Sequence, residues 1–141
     1  MTIFLRWWPL GVALLGAVVT FVALNRHSRQ FYSDTFLLSW LGIYVWGDAL
    51  ILGPFWMMTS LFWWWYQPHD WWSFYVIFLV GRSAYEVIYW LNHQAADKTH
   101  RPPLLRNWSK LGSQELAICY QLAHFCVVVI GLSWWWRMKF N

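Results

Sequence analysis

Four stretches of this chain run, with hardly a charge, for about the thickness of a lipid bilayer. They cover roughly residues 7–24, 36–65, 71–92 and 115–136. A hydrocarbon core about 30 Å thick takes roughly 20 apolar residues as a helix. Membrane strands would be shorter and would alternate apolar with polar residues, which these stretches do not. The expected fold class is therefore an all-α integral membrane protein with four transmembrane helices, forming a single domain over residues 1–141. Composition agrees: only 11% of the 141 residues are charged and 60% are hydrophobic. A soluble domain carries about 25% charged residues, so this chain could not coat a globule in water. A soluble enzyme, a disordered tail, a disulfide-rich secreted module and a nucleic-acid binder are all poor fits.

The second stretch is longer than one crossing needs. Thirty residues at 1.5 Å each would reach about 45 Å, and Gly53-Pro54 lies inside it. Proline removes a backbone donor and clashes one turn back, so the expectation is a long helix kinked near Pro54, with a re-entrant break there as the alternative. The first stretch carries Ala13, Gly16, Ala17, Thr20 and Ala23, a small-residue stripe that suits close helix approach. Its downstream end, Val22-Ala23-Leu24-Asn25-Arg26, lacks the small-residue pattern of a signal-peptide cleavage site.

Basic residues set the expected orientation. Arg26, Arg29, Lys98, Arg101, Arg106 and Lys110 fall on one side of a four-span chain, against Arg6, Arg137 and Lys139 on the other. That places both termini on the extracytoplasmic side and loop 93–114 in the cytoplasm of a bacterial-type inner membrane. Ten of the fifteen tryptophans (Trp7, Trp8, Trp63, Trp64, Trp65, Trp71, Trp72, Trp134, Trp135 and Trp136) then share the opposite face, as an interfacial aromatic belt would. In loop 93–114, Lys98, Arg101, Arg106 and Lys110 accompany Trp108 and Pro102-Pro103, a composition suited to anionic lipid headgroups. Cys119 and Cys126 are seven positions apart, about 10 Å of helical rise and too far to bond to each other. They read as small packing residues.

Function is expected to follow the ionisable groups inside the spans, because charge at bilayer depth is costly and marks sites by default. Counting from the stretch ends puts Asp48, Arg82 and His124 near the midplane, with Glu86 and Gln121 a turn nearer the cytoplasm. Arg82 and Glu86 are i,i+4 and Gln121 and His124 are i,i+3, so each pair shares a helix face. Tyr44 and Tyr89 could add hydroxyls. The expectation is a shared polar cluster of Asp48, Arg82, Glu86, Gln121 and His124 that binds a ligand or ion, or that merely neutralises charge and fixes helix register. A second constellation, His93, Asp97 and His100, would fall on one face of a continuing helix and could ligate a zinc-type metal.

Three functions are consistent with these residues. The leading one is a small transport or ligand/ion-binding module, working as a homo-oligomer or inside a larger membrane complex because four helices make a narrow pathway. The second is an accessory structural subunit of such a complex. The third is a membrane enzyme acting on a lipid or isoprenoid substrate, with Glu86, His93, Asp97 and His100 for acid–base or metal-assisted chemistry. No nucleotide cradle or haem attachment motif is present in the sequence, and no cofactor is expected.

Overall fold

The computed structural model describes residues 2–66, 70–96, 99–108 and 110–140, and of residues 2–5, 27–29 and 94–96 the backbone alone. Four helices organise it: α1 (Thr2–Gln30), α2 (Trp46–Tyr66), α3 (Trp71–Ala96) and α4 (Ser113–Phe140). Three of them are long and apolar enough to cross a membrane, within Arg6–Arg26, Trp71–His93 and Ser113–Phe140. The protein is thus an all-helical integral membrane protein. Helix α2 is 21 residues long, but its Trp, Gly, Pro and Asp48 dilute its hydropathy. The chain divides into two compact units, Met1–Phe74 and Tyr75–Asn141.

In the N-terminal unit the small-residue stripe is a packing face. Ala13 and Ala23 are buried, as are Val12 and Val19 beside them. At Gly16 a Cβ would come within 2.7 Å of the Gly53 carbonyl oxygen and 2.8 Å of the Met57 nitrogen. At Gly53 it would collide with the Thr20 hydroxyl. Backbone therefore touches backbone where α1 meets α2, and only glycine leaves room for that. Thr20 returns its hydroxyl to the Gly16 carbonyl at 2.7 Å, so its polar group is satisfied within the same crossing.

The stretch 36–65 is not one long helix. It holds a short 3-10 helix, Phe36–Leu41, then Gly42 in the left-handed region at φ 74°, and α2 starts only at Trp46. Segment 31–45 is a hairpin closed by an isolated antiparallel bridge between Asp34 and Val45. The Thr35 amide donates to the Tyr44 carbonyl at 2.9 Å and its hydroxyl to the Ile43 carbonyl at 2.8 Å. The chain reverses here because Gly42 accepts a backbone conformation that side chains disfavour. The tip is anchored by Trp56, whose indole N–H donates to the Leu41 carbonyl at 2.8 Å. Trp56 lies ten residues into α2, about 15 Å along it. Leu41, Ile43 and Trp56 are fully buried together with Trp71, which donates to the Ser60 hydroxyl at 3.2 Å. Pro54 lies inside α2, and the break in the stretch falls at Gly42, twelve residues earlier.

Tryptophans gather at the far end of this unit, where Trp8 stacks on Trp72 with ring centroids 5.9 Å apart and Trp7 meets Trp64 at 5.9 Å. Trp40, not counted in the expected belt, joins them 6.3 Å from Trp8 because the hairpin carries it there.

In the C-terminal unit the remainder of α3 faces α4. A Cβ at Gly131 would press into the Val80 side chain at 2.6 Å, which marks their close approach. Trp90, Ala117 and Tyr120 form the buried core, with Leu105 of the connecting loop against it. Leu104 turns that loop with a left-handed φ of 68°, and Pro102 is fully buried. Cys119 and Cys126, expected to pack, are instead exposed on α4 and are free thiols. The inward face of that helix is the stripe of Ala117, Tyr120 and His124.

Candidate functional site

Asp48 is three residues into α2, not in the middle of a span. Its carboxylate accepts the Tyr44 amide at 3.0 Å and the Val45 amide at 3.3 Å. The first turn of any helix leaves backbone N–H groups without intrahelical partners. Here the Trp46 amide goes to the Ser33 carbonyl at 3.2 Å and the Gly47 amide to the Phe31 carbonyl at 2.8 Å, while Asp48 takes the two amides just before them. A carboxylate at that position also sits favourably in the helix dipole. Asp48 is therefore a capping residue of the N-terminal unit, and the midplane depth expected of it rested on a helix that began ten residues too early.

The other predicted residues belong to the C-terminal unit, where three of them are gathered in one network. Arg82 and Glu86 form an ion pair one turn apart on α3, with side chains 14% and 8% exposed. Glu86 also accepts the Trp90 indole N–H at 3.2 Å and, across to α4, the Tyr120 hydroxyl at 3.3 Å. The Arg82 guanidinium lies 5.4 Å from the centre of the Tyr85 ring, adding a cation–π contact. His124 is buried, its ring 4.4 Å from that of Tyr120. Gln121 is half-buried on the adjacent position of α4. The Tyr120 hydroxyl was not among the expected groups; Tyr89 was, but it is 42% exposed and stacks on His93 instead. The sequence did hold a signal, since Tyr120 is one helical turn before His124 on the same face.

What this arrangement does chemically is surround a carboxylate with a cation and two hydrogen-bond donors inside an apolar helix pair. Glu86 has a permanent cation at one oxygen and two neutral donors at the other, which satisfies most of its acceptor capacity. It bridges two helices with groups that carry exchangeable protons.

At the end of α3, His93 and His100 approach with ring centroids 4.8 Å apart, and Trp90 stacks on His100 at 5.6 Å. The His93 Nε2 is buried and has no hydrogen-bond partner among the described residues. Two imidazoles therefore meet, but not on a continuing helix face, since α3 ends at Ala96 and His100 lies beyond it. Asp97, the third member of the expected metal set, lies outside the described residues, as does Lys98 of the expected headgroup set. Among the described residues no three His, Cys, Asp or Glu side chains gather as a metal site.

Of the remaining residues assigned to lipid headgroups, Arg101 is turned onto its own loop. Its guanidinium donates to the Arg106 carbonyl at 3.1 Å, the Trp108 carbonyl at 3.4 Å and the Ser113 hydroxyl at 3.4 Å. Five donors on a planar fork suit this stapling of a loop better than they suit an outward grip. Arg106 is half-buried, while Lys110 and Trp108 are exposed. Helix α4 opens where Glu115 caps the Gly112 amide at 2.8 Å. The chain matches no known protein family, no curated protein and no solved structure.

Proposed function

We propose that this is a small transport or ion-binding module of a bacterial-type inner membrane, in which Glu86 and its partners form the binding element. The observation that carries the reading is Glu86 itself, a carboxylate within a membrane-length helix, paired with Arg82 and hydrogen-bonded across to Tyr120 on α4. Ionisable groups at such depth are expensive and mark ion paths or relays. Glu86, Tyr120 and His124 all carry exchangeable protons and follow one another in space, so the proton is the simplest cargo. The proposed topology has four spans, with α2, which holds Pro54, as the second of them. At 1.5 Å per residue α2 is about 31 Å long, enough to cross. The basic loops face the cytoplasm and both termini face outward. Four helices are few for a pathway, which favours a homo-oligomer or a larger complex.

Proteoliposomes with an entrapped pH-sensitive dye test the reading. An imposed proton gradient should collapse faster with the wild-type protein than in protein-free vesicles. Glu86→Gln should remove that effect while helical content and elution volume stay unchanged. Wild-type vesicles as tight as empty ones would refute proton passage.

A second reading, an accessory subunit of a larger complex, is favoured by the outer side of α4. There Ile118, Leu122, Phe125 and Ile130 are each more than half exposed. In that case the Glu86 network only fixes the register of α3 and α4. Stoichiometric co-purification of a larger membrane partner, together with wild-type behaviour of Glu86→Gln in the vesicles, would favour it.

A further inference from the structure

The N-terminal unit contains a groove of about 400 Å³ between α1 and the 31–45 hairpin. That volume lies within the range of roughly 300–1,000 Å³ typical of small-molecule sites. Its two ends differ. One end carries Arg26, Asp34 and Trp46, and the rest is lined chiefly by apolar side chains such as Val18, Val22 and Leu37, the Thr35 hydroxyl there being spent on the Ile43 carbonyl. Arg26 is the last residue of the membrane-length segment of α1, so this polar end lies at headgroup depth. Val22 and Val18 follow one and two helical turns further in, about 6 and 12 Å from Arg26. The inner walls are open to the side, with Val18 59% and Leu37 83% exposed. A groove with a charged mouth at the interface and an apolar trough leading toward the bilayer centre has the form of a phospholipid.

The mouth also has a specific charge pattern. The Arg26 guanidinium carbon lies over the Trp46 ring, 4.9 Å from its centre, a cation–π contact. A guanidinium is the side chain best suited to phosphate, whose oxygens its forked N–H donors can take in pairs. Asp34 brings a carboxylate to the same mouth, and a carboxylate has about four acceptor positions, so it can take a further donor beside any it already has. A cation and an anion side by side do not suit an anionic headgroup, which Asp34 would repel. They complement a headgroup with a phosphate followed by a primary ammonium. Such an ammonium donates hydrogen bonds, which a trimethylated one cannot.

We infer that this groove is a binding site for phosphatidylethanolamine, its phosphate on Arg26, its ammonium on Asp34 and one acyl chain along Val22, Val18 and Leu37. The lipid completes the open side of the hairpin. This site is independent of the Glu86 network and of any transport.

Native mass spectrometry of the full-length, delipidated protein, titrated with phosphatidylethanolamine, phosphatidylglycerol and phosphatidylcholine of identical chains, tests the assignment. One phosphatidylethanolamine should bind roughly five- to tenfold more tightly than either competitor, as expected for one charge-assisted hydrogen bond weakened by interfacial screening. Asp34→Asn should erase that preference while leaving a common residual affinity, and Arg26→Gln should weaken all three lipids. Val18→Trp, which fills the trough from an exposed position, should weaken all three while leaving the mouth intact. Equal wild-type affinities, a preference for phosphatidylglycerol, or a preference that survives Asp34→Asn would each overturn the inference.

Discussion

The two halves of this protein hold their helices together by different means. In the N-terminal unit α1 and α2 meet through glycine, with backbone against backbone at Gly16 and Gly53. Around its hairpin, polar groups are answered locally, by the Asp48 cap, the Ile43 carbonyl that takes the Thr35 hydroxyl and the Trp56 indole N–H. In the C-terminal unit α3 and α4 are joined by a carboxylate that takes a partner from each helix. The first arrangement depends on shape and tolerates no added atom at the crossing. The second depends on charge balance, and its cost is felt when one member is removed. Lipid offers little hydrophobic drive for helix association, so close packing and interhelical hydrogen bonds are the two means available. The N-terminal unit relies on the first, and the C-terminal unit adds the second to its own close approach at Gly131.

Substitutions that invert these dependences probe the comparison. The largest effect is expected from Glu86→Leu, which strands Arg82 in an apolar helix pair and removes the acceptor of Trp90 and Tyr120. The loss should be about 3–5 kcal/mol, as for other broken buried pairs, read by denaturant unfolding in detergent micelles. The double variant Arg82→Leu/Glu86→Leu should recover most of it, because no charge is then left unpaired. If the double variant is as unstable as the single, charge balance is not what holds the unit. Next comes Gly16→Val, whose side chain has only the Gly53 and Met57 backbone to meet. A loss of about 2–3 kcal/mol is expected from overpacking, with the α1–α2 pair affected and the C-terminal unit unchanged in hydrogen exchange. Asp48→Ala should cost about 1 kcal/mol, the usual value of a lost helix cap, with faster exchange of the Tyr44 and Val45 amides. Retention of their protection would argue against the cap. The smallest effect belongs to Tyr120→Phe, about 0.6 kcal/mol, the average interhelical hydrogen bond measured in membranes. A double-mutant cycle with Glu86 would isolate it.

The same contrast explains what could be read from the sequence. Span existence was legible because length and hydrophobicity are additive properties: residues 7–24, 71–92 and 115–136 each fall within an observed helix. The Gly16 stripe was legible because small residues at helical spacing have one geometric consequence. Residues 36–65 misled because hydropathy carries no information on backbone direction. Phe-Leu-Leu-Ser-Trp-Leu is as apolar in a 3-10 helix as in an α-helix. The cue was local: Gly42, and an aspartate three residues after Val45 in the position where a side chain caps a helix start. The Arg82–Glu86 pair followed from i,i+4 spacing alone. Tyr120 as the interhelical donor did not, because sequence spacing relates residues on one helix and leaves the register between two helices open. Arg101 shows the converse limit, since a basic residue in a polar loop looks the same whether it faces lipid or its own carbonyls.

The tie between Leu41 and Trp56 imposes an order on biosynthesis. The hairpin leaves the ribosome before α2 does, yet the indole that secures its tip is fifteen residues downstream. Residues 31–45 therefore cannot lock into place during their own translation. They must wait until α2 has been made and laid against α1, so a ribosome stalled just after Val45 would carry a nascent chain with this hairpin still unlatched.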